Sequence, residues 1–261
     1  MNTGQELSVA LTIAGSDSGG GAGIQADLKT FRALDVFGAS AVTCLTAQNP
    51  DGVEAVEATA PDMVAAQIRA VCEGFPVGAA KTGMLFSSEI ILAVCGALRS
   101  AAVARLVVDP VMVATSGAKL LRDGAVAALC SHLIPLATVM TPNASEAEIL
   151  WGHSIGTIED LRRAASELSE RFGTACVAKG GHVRSDRVVD VLCADGEETV
   201  MRGPRIEAAE THGTGCTFSA AMAALLAKGA SLADAAAGAK QFVSDALQNA
   251  RPAGRHSPLW V

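Results

Sequence analysis

Short apolar segments alternate along the chain with longer segments of helical periodicity. The pattern predicts strands at residues 9–14, 39–47, 78–85, 106–113, 137–140 and 175–178, with amphipathic helices between them. This alternation predicts an α/β fold whose mainly parallel sheet is covered by helices on both faces. A hairpin is expected around Asp195-Gly196. We find no linker or internal repeat, so residues 1–261 are expected to form one domain.

A polar side chain stands at or just after the end of each of six predicted strands. The loops that follow parallel strands meet at the carboxyl edge of the sheet, where α/β proteins bind their ligands. We therefore expect these side chains to converge on one site. They are Asp17, Gln48, Lys81, Asp109, Asn143 and Lys179.

Two glycines flank a threonine directly before an alanine-rich helix. Gly213 and Gly215 have no Cβ, so their amides can lie against a ligand. The free N–H groups at the helix N-terminus and the helix dipole favour an anion there, most naturally a phosphate. Cys216 lies at the same helix end and is expected to have a stabilised thiolate. The alternative is an ordinary loop–helix junction with two turn glycines.

Composition and charge exclude several classes of protein. The net charge is -7 and the isoelectric point is near 5.2, which argues against nucleic acid or an anionic membrane as the partner. The seven cysteines are odd in number and contain no CxxC pair, so neither a disulfide framework nor a zinc cluster is indicated. We recognise no signal peptide or membrane span, and a reducing cytoplasm is the expected location.

The chemistry suggested by these residues is phosphoryl transfer. Loop amides and Lys179 would neutralise a phosphate, and Asp109 or Glu146 would hold Mg²⁺ through water. Glu146 has a second interpretation, in which it only suits the dipole at the start of a helix capped by Asn143 or Ser145.

Two other classes remain open from the residues alone. In a thiol hydrolase, Cys216 would be the nucleophile and His212 the base, but no third group that orients His212 is evident in the sequence. The other class is a non-catalytic nucleotide or vitamin sensor on the same fold.

Seven motifs, taken in order along the chain, resemble the hydroxymethylpyrimidine/phosphomethylpyrimidine kinases of thiamine biosynthesis. The resemblance covers nearly the whole chain, and it is the set of motifs that is specific, since each motif alone is weak. It implies a ribokinase-like three-layer α/β/α fold. The motifs lie at residues 14–29, 46–49, 81–85, 108–112, 141–148, 179–182 and 212–217.

The resemblance implies an ATP- and Mg²⁺-dependent kinase. Its reaction would phosphorylate 4-amino-5-hydroxymethyl-2-methylpyrimidine and then convert the monophosphate to the diphosphate. Cys216 occupies the place of a catalytic aspartate in ribokinase-type sugar kinases, so it is the candidate base. The candidate catalytic residues are Gly213, Thr214, Gly215, Cys216 and Lys179.

The resemblance also implies two groups of binding residues. The candidate pyrimidine-binding residues are Gly15, Asp27, Gln48, Met84 and Val111. The candidate nucleotide-binding residues are Asp109, Asn143, Glu146, Lys179, Gly181 and Thr211, of which Asp109 and Glu146 would hold the metal. For Asp27 the ordinary alternative is a solvated helix face.

The choice of substrate stays open at this point. The motifs overlap with those of relatives that phosphorylate pyridoxal-type vitamins, and departures at Phe86-Ser87 and Ala118-Lys119 lie near the expected site. The relatives also suggest a homodimer.

Overall fold

The computed structural model describes residues 6–112, 120–122, 124–183, 186–206 and 212–261. The described residues form a nine-stranded sheet of order β3-β2-β1-β4-β5-β6-β7-β8-β9. The strands are β1 Val9–Asp17, β2 Phe37–Asn49, β3 Gly52–Ala58, β4 Val77–Thr82, β5 Leu106–Val108, β6 Val139–Met140, β7 Ala175–Lys179, β8 Arg187–Ala194 and β9 Glu197–Pro204.

Helices connect the parallel strands and follow the final hairpin. They are α1 Gly23–Ala33, α2 Pro61–Gly74, α3 Ser88–Ala101, α4 Ala125–Ala128, α5 Ala144–Trp151, α6 Ile158–Phe172, α7 Thr214–Ala227 and α8 Leu232–Gln248. α4 continues into a π-helical turn, Leu129–Leu133, and a 3₁₀ turn, Ile134–Leu136. The sequence analysis assigned no element to this last segment.

The centre of the sheet is parallel, as predicted, and its two edges are antiparallel. β2, β1, β4, β5, β6 and β7 pair in parallel, whereas β3, β8 and β9 pair antiparallel. The hairpin of β8 and β9 around Asp195-Gly196 is confirmed. β2 continues to Asn49, and a turn at Pro50-Asp51 joins it to β3, a strand that the sequence analysis did not predict. β3 escaped detection because most of its side chains are at least partly exposed, so it lacks the apolar run of a buried strand.

Each face of the sheet packs against its own layer of helices. One core includes Ile68 of α2, Ile91 of α3 and Leu161 of α6. The opposite core includes Phe31 of α1 and Phe218 of α7. The three-layer α/β/α arrangement is thus present. Among the described residues, no helix combines the length and apolar character that crossing a bilayer requires.

The start of α5 is fixed by a reciprocal capping box. The Asn143 side chain accepts a hydrogen bond from the Glu146 N–H, and the Glu146 carboxylate accepts one from the Asn143 N–H, both at 2.9 Å. A capping box of Thr157 and Asp160 likewise starts α6. The candidate site residues Asn143 and Glu146 are therefore held in place by the local structure of the helix start as well as by the site.

One predicted strand is shorter in the structure. β5 ends at Val108, directly before Asp109-Pro110, whereas the sequence predicted a strand to residue 113. Pro110 has no N–H with which to extend the ladder. Val113 lies outside the described residues, as do Ala118, Lys119 and Thr211.

Candidate active site

The six polar side chains at the strand ends line one cavity at the carboxyl edge of the sheet. This smaller cavity has a volume of about 130 Å³. A larger cavity of about 570 Å³ lies beside it. The residues that line both cavities are Asn143, Glu146, Lys179 and Gly215. These four residues, called the shared wall below, are where a group bound in one cavity would meet a group bound in the other.

The N-terminus of α7 opens onto this shared wall. Its cap, Gly213, has φ 84°, and a Cβ there would collide with the carbonyl oxygen of Gly21. The Thr217 N–H donates to the Gly213 carbonyl at 2.9 Å. The N–H groups that come before it in the first turn have no helix carbonyl one turn earlier to which they could donate. A Cβ on Gly215 would lie 3.4 Å from Lys179 Nζ. Helix N-terminus and ammonium thus face the same small volume, which suits a phosphate.

Asp17 organises the first glycine loop. Its buried carboxylate accepts hydrogen bonds from the N–H groups of Gly19, Gly21 and Ala22 at 2.8, 3.1 and 2.8 Å. Burial raises the pKa of this carboxyl, but the hydrogen bonds from His212 and from the backbone lower the pKa more, and it lies below its usual value. Asp17 is therefore an ionised scaffold for the loop.

His212 lies between Asp17 and Gln48. Its Nε2 is 3.2 Å from Asp17 Oδ2 and 3.5 Å from Gln48 Nε2. Asp17 is thus the orienting group that the sequence did not reveal, although an acid inside a glycine loop was a visible signal. The charges that face the Cys216 thiol come instead from Lys81, Asp27 and Asp109. His212 serves as a loop hydrogen-bonder, and the geometry does not support the thiol hydrolase.

The state of Cys216 differs from the expectation. Burial raises the pKa of its thiol to about 11, although the nearby Lys81 ammonium and a hydrogen bond from the Gly23 N–H both lower it. The thiol therefore predominates at neutral pH. Position at a helix N-terminus predicted a thiolate, and the loss of hydration in the folded protein outweighs that local effect.

Asp27 is neither solvated nor among the described residues that line the cavity. Its side chain is 0% exposed and accepts hydrogen bonds from Lys81 Nζ at 2.8 and 2.9 Å and from Thr12 Oγ1 at 2.6 Å. The solvated-face alternative is therefore wrong. Lys81, which was not a candidate for pyrimidine binding, lines the smaller cavity instead. The four remaining candidates also line it: Gly15, Gln48, Met84 and Val111.

Asp109 and Lys179 form an ion pair beside the shared wall. Asp109 Oδ1 accepts from Lys179 Nζ at 3.1 Å and from Thr141 Oγ1 at 3.2 Å, and Oδ2 accepts from Ser219 Oγ at 3.1 Å. Burial lowers the pKa of Lys179, but Asp109 and Glu146 raise the pKa more, and it lies above its usual value. The ammonium is therefore charged where it meets a ligand.

Glu146 is a buried carboxyl whose negative charge is only partly compensated by neighbouring groups. Burial raises its pKa to about 7, against the attraction of Lys179, and Asp109 raises it further. A cation near this carboxyl would therefore be favourable. Among the described residues no group of three His, Cys, Asp or Glu could hold a metal. Mg²⁺ is usually bound by one or two carboxylates with water and substrate phosphates, so Asp109 and Glu146 fit that ion.

The walls of the larger cavity combine apolar side chains with polar and charged ones, and the sequence analysis missed them apart from the candidates Asn143, Glu146, Lys179, Gly181, Thr214 and Gly215. They come from α5, from β8 and the end of β9, and from α7 and α8, which approach one another only in the folded chain. The apolar residues are Ile149, Val188, Pro204, Ile206, Phe218, Val243 and Leu247. Thr211 lies outside the described residues.

Comparison with known proteins agrees with this geometry. The family model of phosphomethylpyrimidine kinase matches residues 17–260. The chain belongs to this family. It is 50% identical over 245 residues to a hydroxymethylpyrimidine/phosphomethylpyrimidine kinase of Rhizobium meliloti, covering 93% of this chain and 91% of that protein. The corresponding enzyme of Escherichia coli is 44% identical over 92% of this chain and 91% of its own length.

Solved structures and a longer relative extend the comparison. A phosphomethylpyrimidine kinase from Clostridium difficile has TM-score 0.81 at 40% identity, over 92% of this chain and 99% of its own. An ADP complex of Bacillus subtilis pyridoxal kinase has TM-score 0.88 at 39% identity, over 97% and 96%. The alignment with the bifunctional thiamine biosynthesis protein ThiED of Geobacter sulfurreducens, at 47% identity, covers 95% of this chain but 51% of that protein. As a member of this kinase family, the chain is a phosphotransferase with the ribokinase-like fold.

The pKa of Glu146 generates a stability prediction. Its folded value of about 7 exceeds the ordinary 4.5, so the stability it contributes is complete at low pH and is lost as pH rises through 7. Glu146→Gln keeps an acceptor for the capping box and removes this titration. Relative to wild type, its free energy of unfolding should rise between about pH 5 and pH 8, by at most about 3 kcal/mol.

Urea unfolding at several pH values measures this difference. Glu148→Gln, two residues further along α5, is the matched control, because Gln retains an acceptor for the Ile155 N–H. A Glu146→Gln difference that stays constant over the whole pH range would contradict the raised pKa.

Proposed function

We propose that this chain transfers the γ-phosphate of ATP to the hydroxymethyl oxygen of 4-amino-5-hydroxymethyl-2-methylpyrimidine, and then a second phosphate to the monophosphate. The observation that carries this proposal is the pair of adjoining cavities whose shared wall carries an ammonium and a helix N-terminus. Relatives named hydroxymethylpyrimidine/phosphomethylpyrimidine kinase, 44–50% identical, support the substrate.

The larger cavity suits the nucleotide. Its apolar side chains, Phe218 among them, can enclose an adenine ring, and Gly181 leaves open space at its edge. From there the phosphates would reach Lys179 and the amides at residues 214–216. Charge neutralisation at that point is the main catalytic requirement of phosphoryl transfer.

The smaller cavity suits the pyrimidine. Gln48 presents an amide that can both donate and accept, as a ring nitrogen beside an exocyclic amine requires. Met84 and Val111 supply apolar contact, and Gly15 also lines the cavity, where a Cβ would lie only 2.8 Å from Cys44 Sγ of the neighbouring strand. The hydroxymethyl group would then point towards Cys216.

The reaction uses the Cys216 sulfur as base. The thiol first loses its proton to solvent, and the thiolate then takes the proton of the substrate hydroxyl. The hydroxyl oxygen forms a bond to the γ-phosphorus while the bond from that phosphorus to the β–γ bridging oxygen breaks, and ADP leaves. Asp109 and Glu146 would hold Mg²⁺, which supplies further neutralisation of phosphate charge.

Phosphorylation of a pyridoxal-type vitamin is the weaker alternative. Solved pyridoxal kinases share the fold, with TM-scores of 0.87–0.89, but their identities of 34–39% lie below those of the pyrimidine kinases of R. meliloti and E. coli. A single domain over residues 1–261, a homodimer and a cytoplasmic location remain predictions.

A substrate screen tests the proposed function. Purified protein with Mg-ATP should release ADP with the hydroxymethylpyrimidine and with its monophosphate. Pyridoxal, pyridoxine and ribose serve as the comparison set, and omission of Mg²⁺ should suppress turnover. Turnover with pyridoxal alone would transfer the assignment to the vitamin kinases, and turnover with ribose alone would refute the pyrimidine assignment.

Cys216→Ala tests the base. The variant should lose on the order of 10²–10⁴ in the rate of phosphoryl transfer, the usual contribution of a general base. Nucleotide binding should persist, because backbone amides survive the substitution. Single-turnover measurements on folded protein give the rate, and a value within about threefold of wild type, far below the range for a general base, would reduce Cys216 to a packing residue.

A further inference from the structure

Lys81 is a fully buried cation on the wall of the smaller cavity. Its side chain is 0% exposed and donates to both carboxylate oxygens of Asp27, at 2.9 and 2.8 Å. Thr12 Oγ1 donates to the same carboxylate at 2.6 Å. A Cβ on Gly83, also in the cavity wall, would lie 3.1 Å from Lys81 Nζ. No step of the proposed reaction uses this ion pair.

The ion pair and the Cys216 thiol meet at the smaller cavity. Lys81 and Cys216 both line it, as does Gly23, the first residue of the helix that carries Asp27. The charged groups that act on this sulfur are Lys81 from β4, Asp27 from α1, and Asp109 and Lys179 from the carboxyl ends of β5 and β7. Both members of the pair therefore act on the charge of Cys216, and they act with opposite sign.

The lysine stays charged in this setting. Burial lowers its pKa, but attraction by Asp27, Cys216 and Asp109 raises it well above its usual value. A buried ammonium with a carboxylate partner is costly to assemble, and a pair of apolar residues would often be as stable. Stability alone is thus a weak reason for this pair.

We propose that Lys81 is a positioning residue for phosphoryl transfer, whose ammonium, held by Asp27, stabilises the negative charge on the Cys216 sulfur when its proton leaves. Asp27 fixes the ammonium in place and at the same time opposes that charge. This inference rests on the proposed role of Cys216 as base, and it assigns Asp27 the role of holding the lysine ammonium.

The proposal requires opposite effects from the two partners of one ion pair. Removal of the ammonium makes the thiolate harder to form, whereas removal of the carboxylate charge makes it easier. A merely structural pair would instead give effects of the same sign, because either substitution breaks the same contact.

The experiment measures alkylation of Cys216 by iodoacetamide at about pH 8.5, resolved from the other cysteines by peptide mass spectrometry. Below the thiol pKa the rate follows the thiolate fraction, so a change of one pKa unit changes it about tenfold. Lys81→Met should slow Cys216 on the order of tenfold, and Asp27→Asn should accelerate it at least about threefold. Both substitutions nearly preserve side-chain volume.

The buried pair of Lys240 and Asp190 supplies the matched control. Lys240 Nζ lies 2.7 Å from Asp190 Oδ2, and Lys240 belongs to α8, which packs against α7. Lys240→Met removes an equivalent ion pair without removing a charge that acts on the thiol, so the Cys216 rate should stay within about twofold of wild type. Alkylation of the partly exposed Cys72 in the same samples reports general loosening of the structure.

Rates that fall in both single variants, or change in neither, would overturn the proposal. Should a single variant fail to fold, the neutral pair Asp27→Asn with Lys81→Met replaces it. Lys81 lines the cavity together with Cys216, whereas Asp27 does not, so loss of the ammonium should dominate. This double variant should therefore react more slowly than wild type, and an unchanged rate would overturn the proposal. The assay contains no substrate, so opposite shifts in a protein that does not phosphorylate the pyrimidine would leave this inference standing and remove the proposed function.

Discussion

Pairing of buried opposite charges at the carboxyl edge of the sheet is the interaction on which the site depends. Lys81 is bound to Asp27 at 2.8 Å, and Lys179 to Asp109 at 3.1 Å. A buried charge without its partner costs several kcal/mol, so each pair fixes two elements of the fold relative to each other. The first links β4 to α1, and the second links β7 to the end of β5.

The same charges lie on the walls of the two cavities. Lys81 lines the smaller cavity, Lys179 lines both, and the N-terminus of α7 lies between them. Electrostatic stabilisation works best when such groups are in place before the reaction, because no reorganisation is then needed. The close approach of Gly213 to Gly21 adds a steric constraint, since it admits no side chain where the two glycine loops meet.

Much of this arrangement could be predicted from local sequence. Strand ends marked by Asp17, Asp109 and Lys179 predicted where the site lies, and the hairpin followed from residue type and spacing. What failed depends on tertiary environment. Helical periodicity placed Asp27 on a polar face, but its partner, Lys81, comes from a strand 54 residues away. Likewise, a helix N-terminus favours a thiolate at Cys216, and burial in the folded protein reverses that preference.

The central claim is that the smaller cavity binds the pyrimidine and the larger one the nucleotide. Calorimetric titration of Gln48→Ala with the pyrimidine and with a non-hydrolysable ATP analogue tests it most directly. Asn49→Ala, the exposed neighbour at the end of β2, is the matched control. The account predicts that Gln48→Ala loses about 1–3 kcal/mol of pyrimidine binding and keeps its affinity for the analogue. Weakened binding of the analogue with unchanged binding of the pyrimidine would contradict it.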